Sequence, residues 1–391
     1  MERIGIYGGT FNPPHIGHIR AAEQAVTALG LTRLLLIPDR IAPHKPMPEN
    51  SPTAEQRLEM LRIAAKGREK WEVSDLELRR EGVSYTWETV RELKKTYPDA
   101  ELVLLMGTDM FASFESWKRA EDILKNTDFA VFYRGEKGEK EAIEGRKAVL
   151  EGYGARVTLV RNDVVPISST QLRRLLAFHC ADDFLPEGVG DYIRSRGLYD
   201  VGADWKHLPM EKLEQVVISL LNPGRVAHVL GCRDTAVALA KRWGADETDA
   251  ARAGILHDIT KALDGPLQLT LCGAYGKLLD DFSRKYPKTL HALTGALVAE
   301  RIFGENEAVI SAIRSHTTGK ADMNLLETII YVADYMEPNR DFPGVDKLRE
   351  LAFSDLRGAL KLGLEMTMDH LRRQGSEVSP ESREALAYLN G

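Results

Sequence analysis

The sequence predicts an α/β region with a doubly wound parallel sheet, followed by an all-α domain. Up to about residue 160, short continuous apolar runs alternate with segments of helical periodicity, as in parallel sheets covered on both faces. After about residue 205, the short Val- and Ile-rich runs disappear and long amphipathic segments replace them. With 391 residues, the chain is long enough for two or three domains of ordinary size.

The first half is predicted to alternate strands and helices. Pro38 stops the second strand, because proline lacks the N–H donor that a sheet needs. This alternation predicts right-handed crossovers. The charged stretch 134–146 is expected to be a solvated loop and helix. The predicted strands are 4–7, 34–37, 102–106 and 129–132, and the predicted helices are 17–29, 54–65 and 87–95.

The second half is predicted to be helical throughout. Gly202 and Pro209 mark 201–209 as a linker, so the predicted domains are 1–200 and 210–391. The amphipathic segments that predict helices are 210–221, 227–243, 246–257, 290–302, 306–315, 325–336 and 345–373.

Composition indicates a globular protein that a reducing cytoplasm suits best, and it does not exclude small phosphorylated substrates. Hydrophobic residues make up 43% and charged residues 28%, and the net charge of −6 argues against a dedicated nucleic-acid binder. No apolar run approaches the ~18 residues that a membrane span needs, so we expect no membrane partner. Cys180, Cys232 and Cys272 form no CxxC pair, which argues against a disulfide framework or a thiolate zinc site. Whether the chain forms a homo-oligomer stays open at this point.

The run from Gly8 to His18 carries candidate phosphate-binding residues. Gly8 and Gly9 end the first strand and let a ligand approach the main chain. His15 and His18 stand at the start of a predicted helix, where free N–H groups and the helix dipole favour phosphate. A donating imidazole also stabilises charge when a phosphorus centre is attacked. Histidines three residues apart on a helix face one side, which suits two phosphates of one nucleotide.

The segment 167–173 repeats this logic far along the chain. Ser168, Ser169 and Thr170 are favourable N-cap residues whose hydroxyls and amides can bind an anion, and Arg173 follows one turn later. A Ser/Thr cap alone is usually only a cap, and an HxGH motif alone is a weak signal. Both motifs together, in this order and in a strand–turn–helix context, favour a nucleotide site.

With these motifs, residues 1–199 resemble the HxGH nucleotidyltransferases and, among them, the bacterial nicotinate-nucleotide adenylyltransferases. The resemblance also rests on Pro-His-Lys-Pro at 43–46, Ser-Tyr-Thr at 84–86, Met-Gly-Thr-Asp at 106–109 and Trp117. It implies a Rossmann-like fold. It further implies transfer of AMP from ATP, accompanied by Mg²⁺, to nicotinic acid mononucleotide, which yields deamido-NAD and pyrophosphate. The mononucleotide phosphate attacks the α-phosphorus directly, so positioning and electrostatics replace a protein nucleophile.

The resemblance also implies roles for individual residues. The expected catalytic residues on the ATP phosphates are His15, His18, Lys45 and Arg173. Asp109 is expected at the nucleotide ribose, and Thr86 and Trp117 are expected to line the nicotinate pocket. The alternatives are a core position for Trp117, a helix cap for Asp109, and a solvated loop for His44 and Lys45. The other expected ATP- or substrate-binding residues are Gly8, Gly9, Thr10, Phe11, His44, Gly107, Ile167, Ser168, Ser169 and Thr170.

A second constellation lies in the all-α half. Imidazole and carboxylate suit iron, manganese or zinc, and helices packed side by side can aim them at one centre. Four ligands would predict one metal, and two further histidines predict a second metal with Asp258 bridging. Two metals activate a water and stabilise phosphoryl charge during phosphoanhydride hydrolysis. The six residues, each on or at the end of a predicted helix, are His228, His257, Asp258, His291, His316 and Asp334.

Two further expectations concern Lys261 and the second ring nitrogen of each candidate metal-binding histidine. Lys261 is predicted one turn beyond His257 on the same helix face, where it would bind substrate phosphate as a further catalytic residue. Each metal-binding histidine is expected to have a hydrogen-bond partner for its other ring nitrogen. By contrast, His179, His207 and His370 belong to no pattern.

The adjacent His257–Asp258 pair is the signature of the HD phosphohydrolase superfamily. Residues 212–373 resemble the bacterial HD-domain family that cleaves diadenosine tetraphosphate symmetrically into two ADP. The resemblance rests on 225–228, 254–261, His291 with Thr294-Gly295, 316–319 and 331–340, and the stretch after Asp334 is the most family-specific. This resemblance implies a binuclear iron centre, with Mn²⁺ or another divalent metal as the alternative. The chain is therefore predicted to be bifunctional.

Two alternatives to this prediction stay open. The HD half could be a nucleotide-binding regulatory module, or it could hydrolyse another phosphate ester. The first half could use another acceptor, such as nicotinamide mononucleotide or phosphopantetheine.

Overall fold

The chain divides into two compact units, Met1–Gly202 and Ala203–Gly391. The computed structural model describes residues 2–43, 47–133, 138–162, 165 and 167–391. The first unit is built around a parallel sheet, and the second unit is mostly helical, which confirms the predicted fold class. Among the helices of the described residues, none has both the length and the apolar character that crossing a membrane requires.

The sheet of the first unit is parallel throughout. Its strands are β1 (Arg3–Gly9), β2 (Arg33–Pro38), β3 (Trp71–Val73), β4 (Glu101–Gly107), β5 (Asp128–Tyr133) and β6 (Val157–Arg161). They lie side by side in the order β3-β2-β1-β4-β5-β6. This order reverses direction between β1 and β4, and a doubly wound sheet has its ligand crevice at the carboxyl ends of such a strand pair.

Helices cover both faces of this sheet. Ile6 pairs with Leu35 on one side and with Leu104 on the other, and all three side chains are buried. The helices are α1 (Ile16–Ala28), α2 (Ala54–Ala65), α3 (Thr86–Thr96), α4 (Thr108–Ala112), α5 (Ala120–Asn126), α6 (Glu139–Gly152), α7 (Ser169–Ala177) and α8 (Val189–Arg196).

The four predicted strands are present, and β3 and β6 are additions. Both are edge strands. β3 has only three residues with an exposed Glu72 at its centre. In β6, Val157 and Val160 are buried, whereas Thr158 and Arg161 are exposed. An edge strand needs no continuous apolar run, so the pattern that marks the central strands is missing from both.

The second unit packs helices around a shared core. The predicted helix 345–373 is wrong at one point, because Asp355 interrupts it and its side chain caps the next helix by accepting from Gly358 N at 2.9 Å. The helices are α9 (Met210–Leu220), α10 (Val226–Trp243), α11 (Glu247–Leu256), α12 (Gly265–Ala274), α13 (Asp281–Lys285), α14 (Leu290–Arg301), α15 (Glu307–Ser315), α16 (Leu325–Met336), α17 (Val345–Ser354), α18 (Leu356–Arg373) and α19 (Pro380–Asn390).

Candidate functional sites

The first site is a cavity of 640 Å³ at the carboxyl ends of β1 and β4. This volume lies in the range of small-molecule sites, which is roughly 300–1,000 Å³. The cavity brings together residues from the loop after β1, the end of β4 and the start of α7. The predicted site residues that line it are Thr10, Phe11, His15, His18, Gly107, Asp109, Ile167, Ser168, Ser169, Thr170 and Arg173.

Four predicted residues of this half that the structure describes, Gly8, Gly9, Thr86 and Trp117, do not line that cavity. Gly8 and Gly9 are the last two residues of β1. Thr86 is the first residue of α3. The ring of Trp117 packs against that of Phe114, with the two ring centroids 5.5 Å apart. His44 and Lys45 lie outside the described residues.

His15 and His18 form a reciprocal cap at the start of α1. His15 is the N-cap residue, and its Nδ1 accepts from the His18 main-chain N–H at 3.3 Å. The Nδ1 of His18 accepts from the His15 N–H at 3.2 Å, and the two rings stack with centroids 3.6 Å apart. Because each Nδ1 accepts a hydrogen bond, a neutral ring carries its proton on Nε2 and can donate it to an oxyanion. Burial lowers the pKa of His18 to about 3, so this ring is neutral.

Gly17 makes room for the His15 ring. A β-carbon on Gly17 would lie 2.9 Å from Nδ1 of His15, which is closer than real β-carbons come to such atoms. The glycine of the HxGH motif therefore permits the ring position that the cap requires.

Hydrogen bonds join the start of α7 to the loop after β1. Ser169 Oγ donates to the main-chain oxygen of Pro13 at 3.0 Å, and Arg173 donates to that of Asn12 at 2.7 Å. Arg173 also donates to Thr170 Oγ1 at 3.2 Å. The Ser168 side chain caps α7 together with Gln171, so the hydroxyl of Ser168 acts as a cap in this structure.

A buried ion pair supports the loop after β1 and was not predicted. Arg57 is only 1% exposed, and it donates to the Thr10 main-chain oxygen at 2.6 Å and to Asp39 Oδ1 at 3.1 Å. Thr10 Oγ1 donates to Asp39 Oδ2 at 2.8 Å. The sequence did contain a signal for this ion pair. Arg57 falls on the apolar face of the predicted helix 54–65, where a charged side chain is buried and needs a partner.

Tyr199 was also missed as a supporting residue. Its hydroxyl donates to Asn12 Oδ1 at 2.8 Å, and both side chains are buried. Nothing in the local sequence predicts this contact, which spans 187 positions of the chain.

The second site is a buried cluster at the centre of the helical unit. Three ligand candidates lie within helices: His228 on α10, His291 on α14 and Asp334 on α16. The others follow helix ends: His257 and Asp258 come directly after α11, and His316 comes directly after α15. A β-carbon on Gly254 would lie 2.7 Å from Cα of Arg233, so a glycine is needed where α10 and α11 approach each other. All six predicted residues, His228, His257, Asp258, His291, His316 and Asp334, meet in this cluster.

Asp258 lies between two pairs of histidines. Its Oδ2 is 3.6 Å from His228 Nε2 and 3.5 Å from His257 Nε2. Its Oδ1 is 3.5 Å from His291 Nε2 and 3.7 Å from His316 Nε2. One carboxylate oxygen therefore faces each pair.

Asp334 joins only the first of these pairs. Its Oδ1 lies 3.1 Å from His228 Nε2 and 3.7 Å from His257 Nε2. Two imidazoles and an oxygen from each of two carboxylates thus converge at this end of the cluster.

The other ring nitrogens have hydrogen-bond partners. Nδ1 of His257 lies 2.8 Å from Gly254 O, Nδ1 of His291 lies 2.8 Å from Lys288 O, and Nδ1 of His316 lies 2.6 Å from Ile313 O. Each of these partners is the carbonyl three residues earlier. His228 differs, because its Nδ1 lies 3.1 Å from Glu337 Oε1. With a proton on every Nδ1, each Nε2 carries the lone pair that a metal would need.

The charge distribution also favours cations in this cluster. Burial alone would lower the pKa of His228, but Asp258 and Asp334 raise it. Burial alone would raise the pKa of Asp258, but His257, His228 and His316 lower it well below its usual value. The cluster therefore stabilises positive charge between its carboxylates, and divalent metals would displace these protons. The donor set of imidazoles and carboxylates fits such metals.

Three further cationic groups surround the cluster. Arg225 Nε donates to Asp258 Oδ2 at 2.7 Å, and Arg340 donates to Asp334 Oδ1 at 2.8 Å. Neither arginine was singled out from the sequence as a site residue. Lys261 was predicted as a site residue, but the prediction that it lies on the same helix as His257 is wrong. The helix α11 ends at Leu256, and Lys261 reaches His291 Nε2 at 2.8 Å from the turn that follows.

The fold and these sites define a class for each half. A family model described as Cytidylyltransferase-like matches residues 6–175, and the HD domain model matches residues 225–339. The first half thus has the fold of nucleotide-binding transferases, and the second half contains an HD domain.

Individual relatives define the class of the first half more closely. Over 198 residues, the chain is 37% identical to a protein of Exiguobacterium sibiricum named "Probable nicotinate-nucleotide adenylyltransferase", covering 50% of this chain and 98% of that protein. A protein of Geobacillus thermodenitrificans with the same name is 36% identical, and the match covers 51% of this chain and 87% of that protein. Through its N-terminal half, the chain belongs to the nicotinate-nucleotide adenylyltransferase family.

The second half also has a solved relative. A crystal structure from Clostridium acetobutylicum, described as a "predicted HD superfamily hydrolase involved in NAD metabolism", is 38% identical. The match covers 47% of this chain and 97% of that one, with a TM-score of 0.46.

Proposed function

We propose that the first unit transfers AMP from ATP to nicotinic acid mononucleotide and releases pyrophosphate. One observation carries the proposal. The cap of His15 and His18, the start of α7 and Arg173 all line one cavity at the strand-order reversal. The family of the N-terminal half supports the choice of acceptor.

In this proposal the chain's own groups bind and stabilise the phosphates. Nε2–H of His15 and His18 donates to phosphate oxygens as negative charge shifts to the leaving pyrophosphate. The main-chain N–H groups at the start of α7 and the guanidinium of Arg173 hold the triphosphate. Asp109 is proposed at the ribose, and Thr86 and Trp117 are proposed around the nicotinate ring. The Mg²⁺ that accompanies ATP neutralises phosphate charge, so no protein nucleophile is required.

The test compares acceptors on the purified full chain with Mg²⁺ and ATP. We expect deamido-NAD and pyrophosphate from nicotinic acid mononucleotide, and at least tenfold lower kcat/KM with nicotinamide mononucleotide. An equal or higher kcat/KM with nicotinamide mononucleotide, or turnover of phosphopantetheine alone, would refute nicotinic acid mononucleotide as the acceptor. The assignment of the first unit as an adenylyltransferase would still hold.

We infer that the second unit is a metal-dependent phosphohydrolase that cleaves diadenosine tetraphosphate symmetrically into two ADP. The carrying observation is the position of Asp258, which directs one oxygen to each of two histidine pairs. This arrangement supports two metals. His228, His257, Asp334 and Asp258 would hold one, and Asp258, His291 and His316 would hold the other.

The chemistry divides between the metals and the flanking cations. When bound, two divalent metals lower the pKa of a water and stabilise phosphoryl oxygens. The guanidinium groups of Arg225 and Arg340, each about a third exposed, flank the cluster and can bind the outer phosphates. Lys261 adds a third cation beside His291. Water would attack one of the two central phosphorus atoms, and the P–O bond from that phosphorus to the oxygen bridging the second and third phosphates would break. One ADP would leave with the bridging oxygen, the other would keep the water oxygen, and the proton would pass to solvent.

The hydrolase proposal is tested on metal-depleted full chain reloaded with Fe²⁺ without oxygen, or with Mn²⁺. ADP as the sole product of diadenosine tetraphosphate would support it, and ATP plus AMP would contradict symmetric cleavage. Binding without products, with metal demonstrably present, would favour the regulatory module. Asp258→Asn should abolish turnover, whereas the exposed Asp341→Asn is the matched control and should keep it.

A further inference from the structure

We propose that the two metal positions of the HD unit are unequal and that Glu337 and Lys261 set the order in which they bind metal. The inference rests on the metal centre proposed above. The first position comprises Nε2 of His228 and His257 with an oxygen each of Asp258 and Asp334. The second position comprises the other Asp258 oxygen with Nε2 of His291 and His316.

Glu337 strengthens the first position. Three of the four histidines donate from Nδ1 to a neutral main-chain carbonyl, but His228 donates to the carboxylate of Glu337 at 3.1 Å. A carboxylate draws the Nδ1 proton more strongly than a carbonyl, so it raises the electron density that Nε2 offers to a metal. His228 is therefore the strongest imidazole donor of the four.

Glu337 is fixed for this purpose by its surroundings. It is 1% exposed, and its Oε2 accepts from the Asn339 main-chain N–H and from Asn339 Nδ2, each at 2.8 Å. Asn339 Nδ2 also donates to Ala227 O at 3.0 Å, next to His228. A β-carbon on Gly231 would collide with Oε2 of Glu337, so the glycine provides the space that this carboxylate occupies.

Lys261 weakens the second position. Its Nζ lies 2.8 Å from His291 Nε2, and Thr317 Oγ1 lies 3.0 Å from the same atom. Thr317 Oγ1 also lies 3.1 Å from His316 Nε2. A neutral imidazole offers one lone pair for these interactions, so a metal must displace Lys261 before it can use His291.

The arginines near the first position do not have this effect. Arg225 and Arg340 donate to carboxylate oxygens of Asp258 and Asp334. Asp334 Oδ1 accepts one hydrogen bond from Arg340 and keeps a lone pair for a metal, whereas Arg225 donates to Asp258 Oδ2 from both Nε and Nη2. With both arginines in place, the first position therefore offers three ligand atoms, Nε2 of His228 and His257 and Oδ1 of Asp334. The first position fills before the second.

The test is a calorimetric titration of metal-depleted full chain with Mn²⁺, alongside its paramagnetic resonance spectrum. We expect two binding events, the first at least tenfold tighter, and a spin-coupled signal only after the second equivalent. Glu337→Gln should weaken the first event about 10- to 100-fold. Lys261→Met should tighten the second event and leave the first unchanged. The exposed Glu300→Gln and Lys241→Met are the matched controls and should match the unsubstituted chain.

Several results would overturn the inference. Two events of equal affinity in the unsubstituted chain would refute the inequality but leave the metal centre standing, whereas no binding at all would refute the metal centre as well. Equal weakening of both events by Glu337→Gln would show a merely structural role. Glu337→Asp retains the charge, so it should recover part of the lost affinity, and thermal unfolding confirms that each variant is folded.

Discussion

Arg173 donates a hydrogen bond of 2.7 Å to the main-chain oxygen of Asn12, across 161 positions of the chain. Ser169 makes a parallel contact with Pro13 at 3.0 Å. The start of α7 is thereby fixed against the loop that carries the HxGH motif. Because both motifs line one cavity, a change in either contact should alter how the cavity holds a triphosphate.

Arg173→Lys should lower kcat/KM for ATP in adenylyl transfer by about 10- to 100-fold. Lysine cannot reproduce the planar fork that reaches Asn12, Thr170 and a phosphate at once. Steady-state kinetics measure the effect, with hydrolysis of diadenosine tetraphosphate as an internal control that should not change. The exposed Arg20→Lys on α1 is the matched substitution, and an equal loss in both variants would refute the role.

Gly17→Ala should impair adenylyl transfer without unfolding the unit. The added β-carbon would lie 2.9 Å from Nδ1 of His15 and push the ring out of its cap. We expect kcat to fall at least tenfold. Gly145→Ala, inside α6 with open space around it, is the control and should keep activity and slightly raise thermal stability. If Gly17→Ala were as active as the control, the ring position would not matter.

His18 should stay neutral far below the ordinary pKa of histidine. Its pKa is lowered to about 3 by burial, so the unfolded chain binds a proton between pH 6.5 and about 3 that the folded chain does not. The contribution of His18 to stability is therefore fully present above pH 6.5 and is lost as the pH falls towards 3. NMR of the imidazole, assigned with His18→Gln, should show no titration between pH 7.5 and 4.5. A midpoint near 6.5 would contradict the prediction.

Removal of metal should destabilise the helical unit. A ligand at a thousand times its Kd stabilises the folded state by about 4 kcal/mol, so chelation should lower the unfolding temperature and added Mn²⁺ should restore it. Asp258→Asn should remove this metal dependence, because Asp258 faces both histidine pairs. Calorimetric melts with and without chelator provide the measurement. An identical metal response in Asp258→Asn would count against a bridging carboxylate.

Much of the fold was predictable because its signals are local. The central strands show continuous apolar runs, as at 34–37 and 129–132, because both of their faces are buried. The edge strands β3 and β6 were missed because each needs only a partly apolar pattern. The break at Asp355 was missed because a capping aspartate within an amphipathic segment does not interrupt its periodicity.

The sequence by itself determined which chemical groups are present and in what order: two histidines around Gly17, hydroxyls before Arg173, and the His and Asp series of the helical unit. Only the tertiary structure decided which atoms meet. Asp258 directs one oxygen to each of two histidine pairs, and Nδ1 of His228 is hydrogen-bonded to the carboxylate of Glu337 instead of a main-chain carbonyl. The physical reason is that periodicity reports which face of a helix is buried, whereas the meeting of side-chain atoms depends on how helices distant in sequence pack.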